Sequence, residues 1–126
     1  DLVIFSPQKL TYEHKKRSTA VLQPLERRVS QLSGGERRYL EAKLLLFGNT
    51  KFVLLDEPFD YLSFHLADKL IEQINIHSAD KGIVITDHNY EKVLEVVSRL
   101  TLIRDGALME LTDKRGLVEQ GYLLSL

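Results

Sequence analysis

The sequence has no cysteine, which removes disulfides and thiolate metal ligands as organising devices and fits a reducing compartment. No apolar run in it approaches the roughly 18–20 residues that a membrane-spanning helix needs. It also lacks an excess of either charge: 17 basic residues against 18 acidic ones leave a formal net charge of −1. No general attraction to nucleic acid or to an anionic surface follows. The opening Asp1-Leu2-Val3-Ile4-Phe5 has neither a basic segment nor a long apolar core, so it does not read as a secretory signal. It has no initiator methionine either, which reads as a piece of a longer protein or an engineered chain. Internal repeats and low-complexity tracts are missing. Glycine is nowhere followed by lysine, so the phosphate loop Gly-x-x-x-x-Gly-Lys-[Ser/Thr] is excluded.

What is present is enough for one modest domain: 126 residues, 44% hydrophobic and 28% charged, an ordinary globular composition. Residues 2–5 read as a short strand ended by Ser6-Pro7. From Lys9 to Val29 the apolar anchors Leu10, Val21, Leu22 and Leu25 suggest helical pieces broken near Pro24. Ser33 and Glu36 form a capping-box pair at the start of a helix. Its inward face is expected to carry Leu40, Leu44 and Phe47, and Gly48-Asn49 to end it. Lys51 to Asp56 is a continuous apolar run ended by acids and Pro58, as in a strand buried on both faces of a parallel sheet. Phe64 to His77 is helical, with apolar residues at 67, 70, 71 and 74. Ile83 to Thr86 reads as a second buried strand and Tyr90 to Val97 as a short helix. Asp105-Gly106 predicts a tight hairpin turn between Leu100–Ile103 and Ala107–Leu111. Thr112 or Asp113 can cap a last helix that closes near Gly121. Alternating strands and helices make the fold class α/β.

In such sheets ligands sit beyond the carboxyl ends of the strands. That puts Asp56-Glu57 and Asp87-His88 on one edge, since each pair follows a predicted buried strand. A carboxylate there either marks the chain's return to water or holds a hard cation such as Mg²⁺. A neighbouring carboxylate can orient or deprotonate a water for attack on phosphorus. His88 is either a structural residue or a donor to a phosphate oxygen. His14, His65 and His77 show no metal-ligand spacing and read as surface residues. Gly34 and Gly35 are costly in a helix, by up to roughly 1 kcal/mol each. The pair reads equally as part of a bare cap or as room for an anion at a helix N-terminus. Arg27-Arg28 and Arg37-Arg38 are interleaved with Glu26, Glu36 and Glu41 and read as a solvated face rather than a nucleic-acid surface.

Taken together, the motifs resemble the C-terminal half of an ATP-binding cassette (ABC) ATPase, the motor subunit of ABC transporters. Leu32-Ser33-Gly34-Gly35-Glu36 matches the family signature. Phe52 to Asp56 followed by Glu57-Pro58 resembles its Walker B segment and catalytic glutamate, and Ile85-Thr86-Asp87-His88 its histidine loop. The order fits, as do the intervals of 23 residues from Ser33 to Asp56 and 32 from Asp56 to His88. The resemblance covers residues 30–111 and says little about 1–29. It implies a partial phosphate-loop NTPase core with a mainly parallel sheet flanked by helices, a C-terminal hairpin and a short helix. Residues 1–48 would be the remnant of a helical subdomain ending in the signature helix, and 49–126 the C-terminal part of the core. In the family two cassettes pair head to tail around ATP. The roles implied by match are contacts to the partner's γ-phosphate for Ser33, Gly34, Gly35 and Glu36, and Mg²⁺ support for Asp56. Glu57 would polarise the attacking water, and His88 would contact the γ-phosphate. The implied cofactors are ATP and Mg²⁺. The implied partners are the missing Walker A half, a second ATPase subunit and a membrane permease, with no nucleic acid. The implied location is cytoplasmic, peripheral on the inner face of the cell membrane.

The sequence departs from the family pattern in three places. The phosphate loop and the adenine-stacking aromatic that accompanies it are missing, so the chain alone is expected not to hydrolyse ATP. The loop after Walker B usually ends Leu-Asp but here reads Phe59-Asp60-Tyr61-Leu62-Ser63, which puts coupling through the missing acid in doubt. Gln8 fits the family's glutamine loop only if the helical subdomain is drastically shortened. Two alternatives stay open: a non-transport ABC-type ATPase of the chromosome-maintenance or DNA-repair kind, and a degenerate, non-catalytic cassette kept for pairing.

Overall fold

Residues 2–7 and 28–124 are described by a computed structural model of the chain, and they form five strands and four helices. The elements are β1 (Leu2–Pro7), α1 (Gly34–Phe47), β2 (Phe52–Asp56), α2 (Phe64–His77), β3 (Gly82–Asp87), α3 (Tyr90–Leu94), β4 (Val97–Arg104), β5 (Ala107–Leu111) and α4 (Arg115–Glu119). Gln8, His14 and most of the helical pieces expected from Lys9 to Val29 lie outside the described residues; Val29–Gln31 forms a single 3-10 turn.

The strands make one sheet in the order β2-β3-β1-β4-β5. Strands β2 and β3 are parallel, pairing Phe52 with Gly82 through Asp56 with Thr86, because α2 carries the chain back across the sheet between them. The other pairings, β1 with β3, β1 with β4 and β4 with β5, are antiparallel. The sheet is therefore mixed, and the expected mainly parallel arrangement holds only at β2–β3. The hairpin accounts for one reversal: Asp105 and Gly106 both take positive φ, 51° and 77°, the geometry of the tight turn that Asp-Gly predicts. Strand β1 enters between β3 and β4 and reverses direction against both.

One face of the sheet carries the core. Leu46 of α1, Leu70 and Ile74 of α2, Ile83 and Ile85 of β3 and Leu102 of β4 are fully buried there, each contributing about 1.5–3 kcal/mol. Strand β2 was expected to be covered on both faces, but its burial alternates. Val53 and Leu55 join the core, whereas Phe52 and Leu54 are 78% and 64% exposed. The ring of Phe52 lies over Gly82, at a place where a β-carbon would be 2.6 Å from it.

Helix α2 has the expected bounds and buries Ala67, Leu70, Gln73 and Ile74. Helix α1 is rotated relative to expectation: it buries Ala42 and Leu46, and leaves Leu44 and Phe47 exposed. A run of four apolar residues at its end supports more than one stripe, and contact with α2 selects the one containing Leu46. Helix α3 stops at Leu94, short of the expected Val97, because β4 begins there and pairs with β1. Asp113 accepts from the N–H groups of Arg115 (2.7 Å) and Gly116 (3.4 Å) at the start of α4, and Gly121 takes a positive φ of 68° just beyond its end. No helix among the described residues is long and apolar enough to cross a membrane.

Candidate functional site

Because β2 and β3 are parallel neighbours, their carboxyl ends emerge side by side, and the acids that end them meet. Asp56, the last residue of β2, sits opposite Thr86 and accepts a hydrogen bond from its hydroxyl. The N–H of Glu57 donates to the Thr86 carbonyl at 2.6 Å, and Glu57 adopts a positive φ of 47°. That turn swings its side chain out of the strand direction and toward the neighbouring loop. His88 stands between two carboxylates, with Nδ1 3.7 Å from Glu57 Oε1 and Nε2 3.5 Å from Asp60 Oδ1. These are ion-pair separations rather than short hydrogen bonds, and all three side chains stay partly open to water. One donor atom from each of Glu57, Asp60 and His88 lies within 4.8 Å of the others. The placement of Asp56, Glu57 and His88 on a single edge thus matches the order-based expectation. Asp60 was not singled out from sequence: its acid is one of many, and only the turn closed by Asp60 N–H on the Glu57 carbonyl (3.2 Å) brings it to His88.

Behind this cluster lies Asp87, fully buried. Its Oδ2 accepts from the N–H of Phe59 at 3.1 Å and its Oδ1 from the N–H of Asn89 at 2.7 Å. Asn89 in turn caps α3 by accepting from Lys92 N–H. Tyr122 packs against the core nearby, and burial first, then the Asp87 carboxylate, raise its phenol above the ordinary range.

The second part of the candidate site is the N-terminus of α1. Ser33 Oγ accepts from Glu36 N–H at 3.2 Å, and Ser33 N–H donates to Glu36 Oε2 at 2.8 Å. The capping box read from sequence is formed in full. The two glycines that follow Ser33 differ. Nothing lies within 4 Å of where a β-carbon on Gly34 would be, whereas one on Gly35 would be 2.6 Å from the Tyr61 carbonyl oxygen. Gly35 is thus required by packing against the loop that leaves β2, and only Gly34 leaves open space. Tyr61 itself has a positive φ of 61° and is 86% exposed. Ser63, at the end of that loop, caps α2 by accepting from Leu66 N–H at 3.4 Å.

The donor set fits part of what an ATP site needs. Mg²⁺ is commonly held by one or two carboxylates and several waters, and Asp56 presents one carboxylate at an exposed strand end. For the triphosphate itself, the sequence holds no phosphate-loop motif.

No protein-family model matches the chain. Individual proteins do. The chain is 41% identical over 81 residues to the lipopolysaccharide export system ATP-binding protein LptB of Escherichia coli K12, an alignment covering 62% of this chain and 33% of the relative. It is 34% identical over 91 residues to LptB of Acidithiobacillus ferridurans, covering 70% and 37%. It is 30% identical over 105 residues to a putative ABC transporter ATP-binding protein of Treponema denticola, covering 80% and 21%. The chain thus spans about a third of the length of LptB. Across the stretch it shares with them, this chain is homologous to the ATP-binding proteins of ABC transporters.

Proposed function

We propose that the chain is the C-terminal part of an ABC-type ATPase that hydrolyses ATP with Mg²⁺ at a head-to-tail dimer interface to drive transport. The observation that carries the reading is the meeting of Glu57, Asp60 and His88 beside Asp56 at the carboxyl edge of the one parallel strand pair. Helix α1 would then close the helical subdomain, while β1, which lies inside the sheet between β3 and β4, belongs to the core together with residues 49–126.

In this reading ATP supplies the reacting phosphoryl group and Mg²⁺ neutralises charge on the phosphate oxygens. Asp56 supports the ion. Glu57 accepts from the water and orients it, its carboxylate standing beside the His88 ring. His88, held between two carboxylates, presents an imidazole to a phosphate oxygen. Ser33, Gly34 and the N-terminal end of α1 serve a nucleotide held by a second subunit, while Gly35 and Glu36 hold that helix end in shape. The partners are the phosphate-loop half, a second ATPase subunit and a membrane permease, which places the assembly at the cytoplasmic face of a membrane. The relatives' names share ATP binding, and of those two the name of LptB states a cargo while the other states none, so the reading extends to the motor and not to the substrate moved.

The test is calorimetric titration of this chain with Mg²⁺-ATP, with phosphate release followed on the same material. The expected result is neither tight binding nor turnover from the chain alone. Micromolar affinity or steady hydrolysis would overturn the assignment as a partial site.

A further inference from the structure

We propose that Asp87 is a positioning residue that holds the Glu57 loop against His88. This rests on reading Glu57 and His88 as the groups that face the reacting phosphate. Asp87 is fully buried at the end of β3, and a carboxylate taken out of water is costly unless hydrogen bonds satisfy it. The bonds it accepts come from two different loops. One is the N–H of Phe59, 28 positions away and two residues beyond Glu57; the other is the N–H of Asn89, one residue beyond His88. Each carboxylate oxygen takes one of them, so a single side chain ties together the segments that carry Glu57, Asp60 and His88.

The backbone adds a bond at the near end of the same loop, Glu57 N–H to the Thr86 carbonyl at 2.6 Å. Beyond that point the 57–60 segment leaves the strand ladder, since β2 ends at Asp56. From there Asp87 is the tie that reaches across to it. The Glu57–His88 and Asp60–His88 separations of 3.7 and 3.5 Å are therefore set from behind by Asp87. A neutral amide of the same shape cannot replace it. Asn offers one acceptor oxygen and an NH₂ that would face an N–H donor, so one of the two ties is lost.

The test uses this chain and two variants, Asp87→Asn and a control, Ile74→Val, which loosens the fully buried core of α2 far from both loops. Nitrogen-15 NMR follows the ring nitrogens of His88 and the amides of residues 57–60, together with amide exchange and the thermal midpoint. Asp87→Asn is expected to shift both His88 ring-nitrogen resonances and to speed exchange of the Phe59 amide by about tenfold or more. Ile74→Val is expected to lower the midpoint and leave His88 in place. Unchanged His88 and 57–60 resonances in Asp87→Asn would overturn the proposal, as would an equal shift in the control. If the Asn variant does not fold, exchange in the unaltered chain decides. A Phe59 amide as protected as that of Ile85 in β3 supports the tie, and one exchanging like that of Asp105 in the hairpin turn overturns it. None of these readouts involves ATP, so the tie and the ATPase reading can fail separately.

Discussion

The two parts of the candidate site are built differently. The Glu57–His88 cluster is laced together by bonds between residues far apart in sequence: Thr86 to Asp56, Glu57 to Thr86 and Phe59 to Asp87. The start of α1 is closed by a local pair, Ser33 with Glu36 three residues on. The point of contact described above between it and the cluster's loop is Gly35 against the Tyr61 carbonyl. A centre that depends on distances between groups needs long-range ties, because a misplacement of about 1 Å can cost about 100-fold in rate. A helix end offered to a partner needs only to be capped and uncovered. Under the proposed function, the contrast is what a site divided between two subunits would require: one part holds groups against each other, and the other is presented outward.

The largest test of the contrast falls on the cluster. In the full-length protein, Glu57→Gln keeps the shape of the side chain and removes its ability to accept a proton. Turnover is expected to fall by about 10²–10⁴-fold with ATP still bound, measured as phosphate release alongside nucleotide retention. Unchanged turnover would remove Glu57 from the role assigned to it.

Next comes the glycine pair, where the two parts of the site touch. Gly35→Ala forces a β-carbon against the backbone of Tyr61, and backbone cannot swing aside as a side chain can. Thermal or urea unfolding of this chain is expected to show a loss of about 1–3 kcal/mol. Gly34→Ala meets nothing within 4 Å, so the same measurement should show no loss, and a gain of less than about 1 kcal/mol. In the full-length protein the order of effects is expected to invert, with Gly34→Ala impairing turnover while the fold stands. Equal destabilisation by both substitutions would erase the distinction between a packing glycine and an open one.

How far these arrangements could be read from sequence follows from how local they are. The Ser33–Glu36 box, the bounds of α2 and the Asp105-Gly106 turn are settled by residues within a few positions of each other, and all were legible. The pairing of the Asp56 and Asp87 ends was legible too, because strand order and a single crossover imply it. The reason for Gly35 lies at Tyr61, 26 positions on, and nothing local distinguishes it from Gly34. Asp87 read as an acid at a strand end within the histidine-loop stretch, and its tie to Phe59, 28 positions away, left no local sign. The face of α1 was misjudged for the same reason: Leu44, Leu45, Leu46 and Phe47 are all apolar, and contact with α2 decides which turns inward. The direction of β1 depends on strands near the other end of the chain.

A smaller effect concerns Ser63, the departure from the family's usual acid. Its hydroxyl caps α2, so Ser63→Ala should cost about 0.5–1 kcal/mol in unfolding measurements. Ser63→Asp keeps a capping oxygen and adds a charge favourable at a helix N-terminus, so stability should hold or rise by about 0.3–1 kcal/mol. A marked loss with Asp would mean that serine is required there for something other than the cap.

The smallest effect separates two histidines. His88 is exposed between carboxylates, whereas His77, at the end of α2, is half-buried, stacked edge-on to Phe47 with ring centroids 4.6 Å apart. Its Nε2 is buried with no hydrogen-bond partner among the described residues. Burial first, then Lys81, lower its pKa from 6.5, against a smaller opposing pull from Asp80. The folded state therefore binds a proton on His77 less readily than the unfolded chain does. The stability that comes from keeping this ring neutral is fully present above about pH 6.5 and is lost as pH falls through the lower, folded-state value. Partial exposure keeps the effect small. His77→Phe retains a ring against Phe47 and removes the titration, so unfolding followed from about pH 7.5 to about 5.5 should show a shallower decline than in the unaltered chain. An undiminished decline would place the pH sensitivity elsewhere than at His77.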